Sequence, residues 1–149
     1  MAANSRLTIA THALAWLALA HRRGQEVLTS EQVAASVNTN AVIIRRSLGD
    51  LRRAGLVEVR HGAGAGWSLA REPQGITLLE VYDAVGAQPP FGLHHTEPNL
   101  ECPVGRGIRP ALGDVYGRVE QVMRRELADT SIADVLRETL VNQPKLNEE

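Results

Sequence analysis

The densest run of chemically active side chains is RRSLGDLRRAGLVEVRHGAGAGW, residues 45–67, which places Arg45, Arg46, Arg52 and Arg53 within nine residues. A guanidinium presents paired N–H donors that fit phosphates and the edge of guanine, so the chemistry on offer is nucleic-acid binding. Arg45 and Arg52 lie seven apart, as do Arg46 and Arg53, so on a helix each pair stacks on one side. A charge run alone is usually a solvated face. Here a leucine–valine segment and the glycine-rich GAGAG follow at once, which a solvated helix would not require. GAGAG is no phosphate-cradling nucleotide loop, because no Lys–Ser/Thr follows it and it does not open a helix.

A second cluster lies in FGLHHTEPNLECPVGRGI, where His94, His95, Glu97 and Glu101 approach the lone Cys102. Pro103 suits the first position of a helix, which puts Cys102 at its N-cap. There the helix dipole favours the thiolate, the species a peroxide or electrophile sensor needs. The alternative is a cysteine that only packs near the helix, and both readings stand. Adjacent histidines rarely ligate one ion together, so no metal site is assigned and no cofactor is expected. No Ser–His–Asp grouping or paired carboxylate site is present, and the chain does not read as an enzyme.

The elements that must position these groups follow from periodicity and caps. A first helix spans about Ser5 to Arg23, with Leu7, Ala10, Leu14 and Leu17 at helical spacing and Gly24 as its stop. Polar residues interrupt its apolar run, which therefore reads neither as a signal peptide nor as a membrane span. Thr29 and Gln32 form a capping box for a short second helix ending near Val37. Residues 38–40, NTN, make a tight turn, and Asn40 caps a third helix over 41–54. In that helix Ala41, Ile44, Leu48 and Leu51 face the core, leaving Asn40, Arg45, Arg46, Gly49, Arg52 and Arg53 outward. LVEVRH and WSLAR flank the glycines as a β-hairpin.

Two short helices joined by a three-residue turn and followed by a hairpin make a winged helix-turn-helix, whose second helix enters the major groove by its N-terminal end. Candidate DNA contacts are Asn38 and Asn40 at the turn and Arg45, Arg46, Arg52 and Arg53 on the helix. Arg60 and His61 at the base of the wing, with Gly62 and Gly64, complete the set. Asn40 either reads adenine or only caps. Trp67 is expected to pack rather than touch DNA.

Past a capping box at Thr77 and Glu80, residues 77–86 form another helix, and 87–103 read as loop. Ile108, Leu112, Val115, Val119 and Val122 then alternate steps of four and three, a heptad seam for a partner helix, weakened by Pro110 and three glycines. SIADVLRETL is a short amphipathic helix. The expected division is a DNA-binding domain at 1–75, a linking helix and sensing loop at 76–102, a dimerisation helix and short last helix at 103–140, and a flexible tail at 141–149. The fold class is mainly α with a small β-hairpin wing.

Bulk properties agree. The 149 residues are 44% hydrophobic but only 3% aromatic, so the core must be aliphatic. Net charge is −1, yet residues 1–75 carry nine Lys/Arg against five Asp/Glu and residues 76–149 seven against twelve. The first half is the one built to meet an anion. One cysteine excludes an internal disulfide and fits a reducing, cytoplasmic compartment.

Together NSRLTIATHALAWLALA, LRRAGLVEVRHGAGAGWSLAR and ITLLEVYDAV resemble the Rrf-type winged-helix repressors, the family of IscR, NsrR and CymR. NTNAVIIRR and CPVGRGI resemble the YwnA-like branch. The resemblance covers about residues 4 to 140 and implies a homodimeric transcription factor, usually a repressor, joined through a long helix after residue 103. Several family members bind an iron–sulfur cluster through three cysteines in the loop before that helix. This chain has Cys102 alone there, a departure that argues against a cluster. The expected partners are double-stranded DNA and a second copy of the chain, with any small-molecule or oxidant effector unassigned. The alternatives are a dimeric winged-helix interaction module that does not bind DNA, or an iron–sulfur- or metal-responsive regulator.

Overall fold

In the computed structural model, which describes residues 5–143, six helices and a two-stranded hairpin follow in the order α1 (Arg6–Arg22), α2 (Ser30–Val37), α3 (Ala41–Arg53), β1 (Val57–Arg60), β2 (Gly66–Leu69), α4 (Leu78–Ala84), α5 (Pro103–Asp129) and α6 (Ile132–Val141). A 3-10 turn at Pro73–Gly75 precedes α4. Two compact units result: the described residues up to Ala87 together with those from Leu127 onward, and Gln88–Glu126.

The first unit is built around α1. Ala10, Ala13, Leu14, Leu17, Ala18 and Ala20 are all buried, a wider set than a single stripe. The cause is that α2, α3, α4, α6 and β2 all pack on this helix, and its alanines let them approach closely. Trp16 is half-buried at the edge of the same core. Leu14, Leu28, Ile44, Leu48, Leu51, Leu56, Ile76 and Ile132 are fully buried, so the core is aliphatic as the composition requires. Each such side chain contributes roughly 1.5–3 kcal/mol by leaving water.

Local chemistry sets the ends of these helices. The Thr29 hydroxyl accepts from the Gln32 N–H at 3.1 Å, and the Gln32 side chain accepts from the Thr29 N–H at 2.9 Å. The same reciprocal box opens α4 through Thr77 and Glu80, and α6 through Ser131 and Asp134. Asn38 ends α2 in the left-handed conformation, φ 63°, which asparagine tolerates better than most residues.

β1 and β2 pair antiparallel, with Val57 opposite Leu69 and Arg60 opposite Gly66. Leu28 adds an isolated antiparallel bridge to β2, donating its N–H to the Trp67 carbonyl at 3.0 Å and accepting from the Trp67 N–H at 2.8 Å. This close approach explains Gly66, where a Cβ would stand 2.8 Å from the Leu28 carbonyl oxygen.

The last helix is grouped differently from the expected division at 103–140. Ile132 and Leu136 of α6 are buried in the core around α1, so α6 belongs to the first unit. Backbone bonds fasten it there: Leu78 N–H to the Thr130 carbonyl and Ile132 N–H to the Ile76 carbonyl, both 2.9 Å. Long-range pairing of this kind leaves no local periodicity to read. Val141 closes α6, and the remainder of the expected tail lies mostly outside the described residues.

In the second unit α5 begins at Pro103 and runs through Pro110 without a break in its assignment. None of its described residues is buried. The loop before it is tied down by Arg109, which donates to the His94 carbonyl at 2.6 Å, and by contact of the Phe91 and Tyr116 rings. Gly105 is required here, since a Cβ would overlap the Asn99 carbonyl oxygen at 2.0 Å.

Candidate nucleic-acid interface

The turn and α3 are built so that the helix buries one stripe and presents the other. Ile44, Leu48 and Leu51 have no accessible surface, while Val42, Arg45, Arg46, Arg52 and Arg53 are exposed. Asn40 acts as the N-cap, its Oδ1 accepting the Ile43 N–H at 3.0 Å. Of its two expected uses, the cap is therefore occupied. Asn38 sits one turn away at the end of α2, also exposed.

The four helix arginines are not equivalent. Arg45 reaches Glu31 of α2 at 3.2 Å, and Arg53 pairs with Asp50 one turn back on its own helix. Among the described residues Arg46 and Arg52 carry no ion pair. Exposed pairs such as these are worth little, of order 0–1 kcal/mol, so an arriving phosphate competes with them at small cost.

On the wing, Arg60 is held by Glu26 at 3.3 Å. Because Arg60 pairs with Gly66, the last rung before the turn 61–65, Arg60 and His61 stand toward the tip of the wing and not at its base. The register, invisible without knowing the turn length, decides this. Gly62 and Gly64 supply the positive φ angles, 77° and 70°, that the tight turn demands. Trp67 packs: its Nε1–H donates to the Ser30 hydroxyl at 3.2 Å, and its ring leans on the core.

Sequence reasoning missed two residues in this region. Val42 and Ile43, in the first turn of α3, are 58% and 38% exposed. Two β-branched apolar residues next to a capping asparagine, off the core stripe, were the available signal.

The family model described as "Rrf2: Iron-dependent Transcriptional regulator" matches residues 3–138. The chain belongs to the Rrf2 family. It is 41% identical over 133 residues to YwnA of Bacillus subtilis strain 168, by name an HTH-type transcriptional regulator, spanning 89% of this chain and 96% of YwnA. Its fold is shared with T. potens IscR, TM-score 0.71 at 18% identity, covering 98% of this chain and 94% of that one. CymR of B. subtilis gives a TM-score of 0.64 at 21% identity over 93% and 98%. This Rrf2 protein is thus a winged-helix transcriptional regulator, from a family that is not enzymatic.

The iron dependence in the family's description can be tested against the donors present. Cys102 is the chain's one thiol, and no group of three or more His, Cys, Asp or Glu side chains gathers among the described residues. Thiolate-rich ligation dominates iron–sulfur sites, so this donor set does not fit a cluster. The His94 and His95 rings lie against each other, 4.6 Å between centroids. Cys102 is exposed, and the Gly105 and Val104 N–H groups at the start of α5 hold its thiol below the ordinary range by hydrogen bonding the thiolate.

Proposed function

We propose that this Rrf2 regulator is a homodimeric, cytoplasmic repressor that binds duplex DNA through the outer face of α3 and the wing, without a cofactor. The observation that carries the DNA contact is the division of α3 into a fully buried aliphatic stripe and an outer face of four arginines. Asn38, Asn40, Arg60, His61, Gly62 and Gly64 are proposed to meet the neighbouring backbone or base edges. No described helix is long and apolar enough to cross a membrane.

Dimerisation is supported by α5. Ile108, Leu112, Val115, Val119 and Val122 stand at heptad spacing, and four of the five are exposed in the single chain. A helix of 27 residues with no buried side chain, one internal proline and four glycines would be marginal alone. Covering the apolar seam with the same helix of a second copy makes a two-fold dimer, which sets two α3 helices on successive turns of a near-palindromic site.

Cys102 is the proposed redox-responsive position. Its thiolate would attack a peroxide oxygen, breaking the O–O bond and releasing hydroxide, to leave a sulfenic acid at the start of α5.

The test is selection of duplexes from a random library by the reduced protein, followed by anisotropy titration and sedimentation. A near-palindromic consensus bound by a dimer is the expected result. Failure to enrich any sequence, with no binding at low salt, would overturn the DNA reading and leave an interaction module. Dimer formation with no DNA binding would retain only the α5 interface. Titrating peroxide against the complex, with C102S as control, tests the cysteine.

A further inference from the structure

The first turn of α3 carries a side chain that neither the fold nor the arginine chemistry explains. Val42 is 58% exposed and is not among the apolar residues that pack on the core. Its neighbour Ile43, by contrast, shares a small depression with Ile9 and Val85, so it has apolar company within the unit. Valine is also a poor helix former, because its branched Cβ crowds the preceding turn. In the isolated chain Val42 therefore gains little from burial and nothing from propensity.

Its position is specific. Val42 precedes Arg45 and Arg46 by three and four residues, so all three share the outer face. Side chains on a helix lean toward its N-terminus, which is the end a recognition helix points at base edges. Asn40, the other residue at that tip, has its Oδ1 engaged by the Ile43 N–H. The tip thus presents an apolar surface flanked by cations. In the major groove one base alone offers an apolar group, the C5 methyl of thymine.

We propose that Val42 is a base-reading residue that packs on a thymine methyl at a fixed position in each half-site, with Arg45 and Arg46 on adjoining phosphates or guanines. This rests on the DNA-binding reading above and adds the base that the helix tip prefers. The occupant is duplex DNA, since the arginines on the same face fit a polyanion and not an apolar protein surface.

The experiment takes the duplex that the wild-type protein selects and replaces each dT in turn by deoxyuridine, which removes only the methyl. At one position per half-site the wild type is expected to bind about fourfold more weakly, the worth of one buried methyl. Val42→Ala should lose a similar factor on the dT duplex and be indifferent to deoxyuridine at that position. Alanine favours the helix, and a thermal melt of the variant checks that the fold is kept. The proposal is overturned if every deoxyuridine substitution is neutral, or if Val42→Ala suffers the same deoxyuridine penalty as wild type. If no duplex is selected at all, the DNA-binding reading fails and Val42 as a base reader fails with it.

Discussion

Replacing Gly49 by alanine separates what α3 needs to fold from what it needs to bind. Gly49 lies inside the helix, on the same outer face as Val42 and Arg53, and its φ is not positive. A Cβ there would meet only the Arg53 guanidinium at 3.7 Å, an ordinary contact. Nothing in the chain therefore requires glycine, which costs a helix interior roughly 0.8–1.0 kcal/mol relative to alanine. Gly49→Ala should stabilise the free protein by about that amount, raising Tm by roughly 2–4 °C for a chain of this size. Melts must be compared at equal protein concentration, because the proposed dimerisation would contribute to apparent stability. On DNA the added methyl would occupy the surface proposed to approach the duplex, and affinity is expected to fall by about tenfold, or 1.4 kcal/mol. A lower Tm would mean that a Cβ at position 49 meets a closer neighbour than the Arg53 guanidinium. A higher Tm with unchanged affinity would mean that the middle of α3 does not come to contact distance.

Other outcomes follow from the same geometry. Asn40→Ala should cost about 1 kcal/mol through loss of the cap. Asn40→Asp should keep stability, since it caps equally well, while weakening DNA binding through charge repulsion; urea melts and anisotropy distinguish the two. Arg46→Ala should lower the slope of log K against log salt by about 0.9 if Arg46 meets a phosphate. Ile108→Asp with Val115→Asp should convert the proposed dimer to monomer in sedimentation while the first unit still unfolds cooperatively. Because its N–H partners favour the thiolate, Cys102 should be alkylated with a pH midpoint below that of free cysteine; a midpoint at or above it would contradict that placement.

Much of the interface was legible because its signals are local. Capping boxes three residues apart fix the starts of α2 and α4, and a stripe of Ile44, Leu48 and Leu51 orients α3 without reference to the rest of the chain. The wing was legible from its alternation and glycines. What stayed hidden depends on partners distant in sequence. Glu31 and Glu26 draw on Arg45 and Arg60, the Leu28 bridge demands Gly66, and α6 returns to pack on α1. Val42 differs: its place off the Ala41, Ile44, Leu48 and Leu51 stripe was legible, but an apolar side chain offers no donor or charge to mark it as a contact, and the structure adds that it is 58% exposed.

The outer face of α3 is proposed to bind duplex DNA through arginines that the fold itself does not use. Its most direct test is the salt dependence of DNA affinity, measured by anisotropy for the wild type and for Arg46→Ala/Arg52→Ala, the two helix arginines without an ion pair among the described residues. A steep negative slope is expected for the wild type and one shallower by about 1.8 for the variant, with no loss of Tm. Equal slopes and equal affinities would contradict it.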